Sequence, residues 1–303
     1  MSRRPQPFTR LPIELVHHIL RMAAASSRSS SLNICLVSSW ARRIAQPHLF
    51  HTITITNTLT HVMFLRCTVD YKPVIANSNL TSGSLVDGVW IARRDDILFY
   101  VLQACANVTH LALGSRCIDQ LFRRSSSSED AGKIILGSQD LHLTVLDNPD
   151  AFDLLGHDTH LGRKLPIFDQ ITHMHLTVPS QDLSLSTRLQ LFGRLSHLSL
   201  PYHSSRQHYI ENLRGFLGLR ALTMLVVAMS DEVVRKGYWK KLERWVRGVR
   251  ETDGRVYLVE ECRLGGFQEE WEDEVRGGES IWDRAVRYTD AWERASGLQG
   301  GLS

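Results

Sequence analysis

Five histidines fall at regular places within short β-type runs: His110 in Val108-Thr-His-Leu-Ala-Leu113, His142 in Leu141-His-Leu-Thr-Val145, His173 and His175 in Ile171-Thr-His-Met-His-Leu176, and His197 in Leu195-Ser-His-Leu-Ser-Leu200. Successive side chains of a strand face opposite sides. If the leucines and the methionine of these runs face a core, the imidazoles face away from it, and strands ~4.8 Å apart would align them in a stripe. Imidazole donates, accepts, stacks and changes charge between about pH 6 and 7. The stripe His110, His142, His173, His175 and His197 is therefore a candidate target-binding surface, against the plainer reading that histidine simply tolerates a polar strand face. Metal binding is not expected, because no carboxylate or cysteine lies at ligand spacing beside these residues.

The sequence holds no GxxxxGK[ST] phosphate loop, GxGxxG turn, HExxH helix or GxSxG elbow, the motifs that place a nucleophile, metal or phosphate at fixed geometry. No enzyme activity and no cofactor is expected. Five cysteines, Cys35, Cys67, Cys105, Cys117 and Cys262, form no CxxC pair, so a reducing compartment, cytoplasm or nucleus, is expected. Arg123-Arg124 followed by four serines, Glu129 and Asp130 reads as a solvated loop whose charge phosphorylation would shift, creating or blocking a contact.

These residues sit in 303 residues with 43% hydrophobic and 22% charged content, the composition of a globular chain. The longest nearly apolar run, Ala221–Met229, is far short of the roughly 20 residues that span a bilayer, so no membrane span is expected. A net charge of +3 is too small to indicate nucleic-acid binding. Its distribution is uneven: Arg3, Arg4, Arg10, Arg21, Arg28, Arg42 and Arg43 face only Glu14 among the first 50 residues, whereas residues 260–279 are acidic.

Apolar residues Ile13, Val16, Ile19, Leu20 and Ala23 recur at helical spacing behind Leu11 and Pro12, and Leu32, Cys35, Leu36, Trp40 and Ile44 continue the pattern. Three short helices are expected within residues 9–50, with Ala24–Ser31 as a solvated loop and a stop before Pro47. The strings LPIELVHHIL and LNICLVSSWARRIAQPHLF resemble the F-box motif, an LPxEL helix start followed by an L..CLVS..W segment. Leu11, Pro12, Glu14, Leu15, Ile19, Leu20, Leu36, Val37, Ser38 and Trp40 match it, and the downstream HLFHTITI is similar to fungal members. The resemblance implies docking onto a Skp-type adaptor and, through it, a cullin/RING ubiquitin ligase. On that reading Leu11, Pro12, Ile13, Leu15, Ile19, Leu20, Leu36, Val37 and Trp40 divide between the head's own core and the adaptor.

Segments starting at Ile171, Leu195 and Leu219 align at 24-residue spacing, inside the ~20–29 residue period of leucine-rich repeats. The related runs at Val108, Leu141 and Val256, with Ile53 as a beginning, extend the series. Intervening helices are expected around Ile97–Cys105 with Asp95 or Asp96 as cap, Leu185–Phe192 and Ile210–Leu217, and Trp239–Val249 and Glu279–Ala295 carry later apolar stripes. The expected fold class is α+β or α/β: an extension (1–8), an F-box-like three-helix head (9–50), an irregular leucine-rich-repeat-like α/β solenoid (51–258) and an acidic, Trp-containing helical cap (259–303). A compact α/β domain is the alternative. The functional expectation is a non-catalytic substrate receptor of a Skp-cullin-F-box ligase with an unidentified protein target. Its alternatives are a scaffold outside any ligase and a hydrolase with an unrecognised site.

Overall fold

The computed structural model describes residues 11–57, 59–60, 62–64, 66, 85–92, 98–105, 107–127, 140–147, 166–178, 185–202, 209–261 and 266–296. Helices α1 (Ile13–Ser26), α2 (Arg28–Val37) and α3 (Ser39–Phe50) come first. Their shared core is built from small residues, Ala24, Ala41 and Ala45, with Ile34 and Cys35, so the helices approach closely. The serine run expected as a loop is instead where α1 meets α2. Ser27 caps α2 by accepting the Ser30 N–H at 3.1 Å, and the buried Ser31 hydroxyl donates to the Ala24 carbonyl at 2.6 Å. Ser38 caps α3 in the same way, and Pro47 lies inside that helix rather than beyond it.

The chain then forms β1 (Thr52–Ile55), β2 (Gly88–Ile91), α4 (Leu98–Ala104), β3 (His110–Leu113), α5 (Ser115–Ser127), β4 (Leu141–Val145), β5 (Ile171–Leu176), α6 (Leu185–Leu189), β6 (His197–Pro201), α7 (Tyr209–Leu217), β7 (Met224–Met229), α8 (Asp231–Arg235), α9 (Lys240–Arg250), β8 (Val256–Glu260), α10 (Phe267–Val275) and α11 (Ile281–Ala295). Among the described residues, eight strands join one sheet in chain order, and every pairing between them is parallel. Its first face carries Ile91, Leu111, Leu113, Leu143, Met174, Leu198, Leu225 and Leu258, which pack on Leu98, Ile118, Leu189, Leu213 and Val246 of the intervening helices in one large core. Asp95, Asp96 and Ile97 lie outside the described residues, as do 128–130. Residues 123–127, expected in a loop, end α5. Among the described residues, no helix is long and apolar enough to cross a membrane.

The second face overturns the expected fold class. An open solenoid has contacts only between neighbouring repeats, yet α10, after the last strand, packs on the first ones. Trp271 and Val275 meet Trp90 and Ala112, Thr54 donates to Glu272 at 3.1 Å, and Arg276 donates to Thr52 at 3.4 Å. Helix α11 covers the same face at the other end, where Ile281, Trp282 and Ala285 pack on Met224, Val226, Ala228 and Val259. The strands also begin at intervals from 22 to 36 residues, too uneven for a regular repeat. The protein is therefore an α/β fold on an eight-stranded all-parallel sheet, not a helical head joined to a leucine-rich-repeat-like solenoid with a terminal cap. Covering both faces is the usual condition of an all-parallel sheet.

Two local devices place the covering helices. Gly88 leaves room for α10, since a Cβ there would lie 2.7 Å from Val275 Cγ1. Gly277, at φ 87°, takes the left-handed turn that separates α10 from α11. Ser280 starts α11 with a capping box: its hydroxyl accepts the Asp283 N–H at 3.1 Å while Asp283 accepts the Ser280 N–H. Ser280→Ala is expected to lower stability by about 1 kcal/mol in urea unfolding, whereas Ser280→Asp should retain most of it. At the open side of β8, buried Thr289 accepts the Leu258 N–H at 2.8 Å and donates to the Leu258 carbonyl at 3.2 Å. Those groups would otherwise template pairing with another strand.

Candidate functional site

Two features of the structure carry sequence-predicted site residues. The first is the outer surface of α1–α3. Val16, Leu20 and Ala24 turn one side of α1 toward the three-helix core. Leu15, Ile19 and Met22, at spacings of four and three, occupy another side and are exposed. Leu36 and Val37 end α2 with 79% and 69% of their surface exposed. Trp40 is exposed at the start of α3 with its ring edge-on to His17 of α1, 6.3 Å between centroids. Of the predicted adaptor residues, Leu11, Pro12, Ile13, Leu15, Ile19, Leu36, Val37 and Trp40 are exposed, and Leu20 is half-buried. Large apolar side chains gathered at a surface in this number are a mark of an interaction site. Arg42 ties α3 to α2 by donating to the Cys35 carbonyl at 3.2 Å.

The second feature is a ladder of imidazoles. His110, His142, His173 and His197 are direct register partners on β3, β4, β5 and β6, with ring centroids 4.4, 3.9 and 4.1 Å apart in turn. His175 lies two residues further along β5, buried against Phe267 at 5.4 Å. The parallel register makes the stripe, as strand alternation predicts. However, it lies between α10 and α11 rather than on an open wall. Trp282 stands against His173 and His197 at 5.3 and 5.4 Å, and only part of each ladder ring is accessible.

Residues preceding the histidines set their tautomers. Thr109 Oγ1 donates to the Asp87 carbonyl at 3.2 Å and so accepts from His110 Nδ1 at 2.9 Å. Ser196 Oγ likewise donates to the Thr172 carbonyl at 3.1 Å and accepts from His197 Nδ1 at 2.8 Å. Thr172 stands 2.9 Å from His173 Nδ1. His142 follows Leu141, has no such hydroxyl, and its Nδ1 is buried without a hydrogen-bond partner. Burial is the main cause that lowers the pKa values of His110, His173 and His197, reinforced by neighbouring imidazoles, and His110 is pushed down to about 4.

Sequence reasoning missed the carboxylate that joins this ladder. Glu274 of α10 places Oε1 3.9 Å from His142 Nδ1. It stands three residues after Trp271, on the helix side that faces the sheet, and spacing along the chain gives no sign of this. A match to this chain is found neither among protein-family models, nor among curated proteins, nor among solved structures.

Proposed function

We propose that this chain is a non-catalytic substrate-recognition subunit of a Skp-cullin-F-box type ubiquitin ligase. It would dock the adaptor through α1–α3 and hold a target protein on its α/β body, working in the cytosol or nucleus. The observation that carries this reading is that most of the apolar residues matching the motif stand at the surface of α1–α3. Of the apolar residues matching the F-box-type pattern, Leu11, Pro12, Leu15, Ile19, Leu36, Val37 and Trp40 are exposed and Leu20 is half-buried, and Ile13, Met22 and Leu32 are exposed beside them. A helix that needed its apolar residues only for its own core would bury them. The chain then contributes proximity: it raises the effective concentration of target lysines beside a ubiquitin donor carried by another subunit.

Co-expression with a Skp-type adaptor followed by size-exclusion chromatography tests the reading. The expected result is a stoichiometric complex that is lost in the double variant Leu15→Asp, Trp40→Ala. Because both side chains are exposed, the variant should stay folded, with a loss of about 1 kcal/mol summed over the two sites. A folded wild-type chain that elutes without the adaptor would remove the proposal.

A further inference from the structure

We propose that His110, His142 and Glu274 form a binding site for one divalent transition metal of the zinc class, with two imidazoles and a carboxylate clamping α10 onto β3 and β4. One ligand atom from each residue lies within 4.8 Å of the others. Two ligands of a tetrahedral ion bound at ~2.1 Å stand about 3.4 Å apart, so the 3.9 Å between His142 Nδ1 and Glu274 Oε1 closes with a small side-chain rotation. As a direct hydrogen bond, 3.9 Å is too long. An ion between the two atoms gives the buried, unpartnered His142 Nδ1 a bond that no protein group supplies.

The surroundings fit the same assignment. His110 donates from Nδ1 to Thr109, itself anchored on the Asp87 carbonyl, and this leaves the lone pair on Nε2. A ligand histidine held by its other nitrogen is the usual supporting arrangement of metal sites. Gly88, the register partner of His110 on β2, has no side chain, and that absence lets Val275 and hence Glu274 come down onto the sheet. Two nitrogens and one carboxylate oxygen favour zinc-class ions over calcium or magnesium, which prefer oxygen ligands throughout. His142 and Glu274 keep 26% and 16% of their side-chain surface exposed, leaving a path for the ion and a fourth position for water.

The test uses the untagged full-length chain, stripped with chelator and titrated with cobalt(II), whose visible bands report coordination, followed by displacement with zinc. One equivalent is expected to bind and to raise the thermal midpoint. Glu274→Gln, nearly isosteric, and His142→Ala should each weaken binding by about 100-fold or more, and Thr109→Val, which removes only the support of His110, by about 10-fold. His197→Gln, further along the ladder, should bind as wild type does. All variants are compared by circular dichroism without metal, and any that unfolds is replaced by its partner at the same site. Folded wild-type protein that binds less than one equivalent would overturn the assignment, as would wild-type affinity in both folded Glu274→Gln and His142→Ala.

Discussion

Trp271→Ala is expected to release α10 from the sheet, with a loss of about 3–5 kcal/mol. Trp271 is the largest apolar residue of that helix and is 4% exposed. It stands edge-on to Trp90 at 5.3 Å between ring centroids and shares its cluster with Ala112 and Val275. An isolated helix of 9 residues has no stability of its own in water, so α10 depends on its tertiary contacts, of which Trp271 makes the largest apolar one. The first-face core does not use Trp271, and α11 has separate anchors at Ile281, Trp282 and Ala285. The loss should therefore be local. In hydrogen exchange, α10 amides lose protection while β3–β7 stay protected. Gly88→Leu attacks the same contact from the strand, because its Cβ alone would sit 2.7 Å from Val275, and it should give the same pattern. Unchanged α10 protection in both variants would show that other contacts hold the helix.

The strands were legible in the sequence because their alternation is clean. Leu111 and Leu113, Met174 and Leu176, and Leu198 and Leu200 all reach the first-face core, and the histidines between them face the other way in one register. What alternation cannot say is what lies on that other face. The row Thr144, His175, Ser199 reads as solvent-facing because it is polar, yet all three are buried. A usable sign was present in β7, whose Met224–Met229 is apolar and buried at every position. A strand apolar on both sides needs cover on both sides, and the stripes Trp271/Val275 and Trp282/Ala285 were available to provide it. Their destinations depend on chain turns such as that at Gly277 and on the gap at Gly88, which periodicity does not register. The serines at 27 and 31 were misread for a related reason. A hydroxyl that caps a helix or bonds a carbonyl in a tight crossing is as much a packing residue as alanine.

His175→Leu is expected to remove about 2 kcal/mol of the stability change between pH 7 and pH 5. His175 is buried in the middle of the second face, its Nε2 without a hydrogen-bond partner. Burial, aided by the Arg284 guanidinium, pushes it down from 6.5 to about 3. The groups around it are Phe267 of α10, Arg284 of α11 with its ion-pair partner Glu270 of α10, His173 on its own strand, and neutral Thr144 and Ser199 in register. Because the folded pKa is the lower one, the unfolded chain binds the extra proton. The contribution of His175 is intact above about pH 6.5 and is lost as pH falls below it, by about 2 kcal/mol at pH 5. Glu261 acts in the opposite sense: burial first, and Glu270 second, push it up to about 7, so acidification through that value favours the fold. Wild-type stability alone therefore mixes opposed slopes, with His110, His173 and His197 acting in the same sense as His175, and the informative quantity is the difference between wild type and variant. Urea midpoints of wild type, His175→Leu and Glu261→Gln at both pH values separate them. His175→Leu should gain relative to wild type on going from pH 7 to pH 5, and Glu261→Gln should lose. Parallel pH profiles for wild type and His175→Leu would mean that α10 and α11 part readily enough for the imidazole to take up its proton in the folded chain.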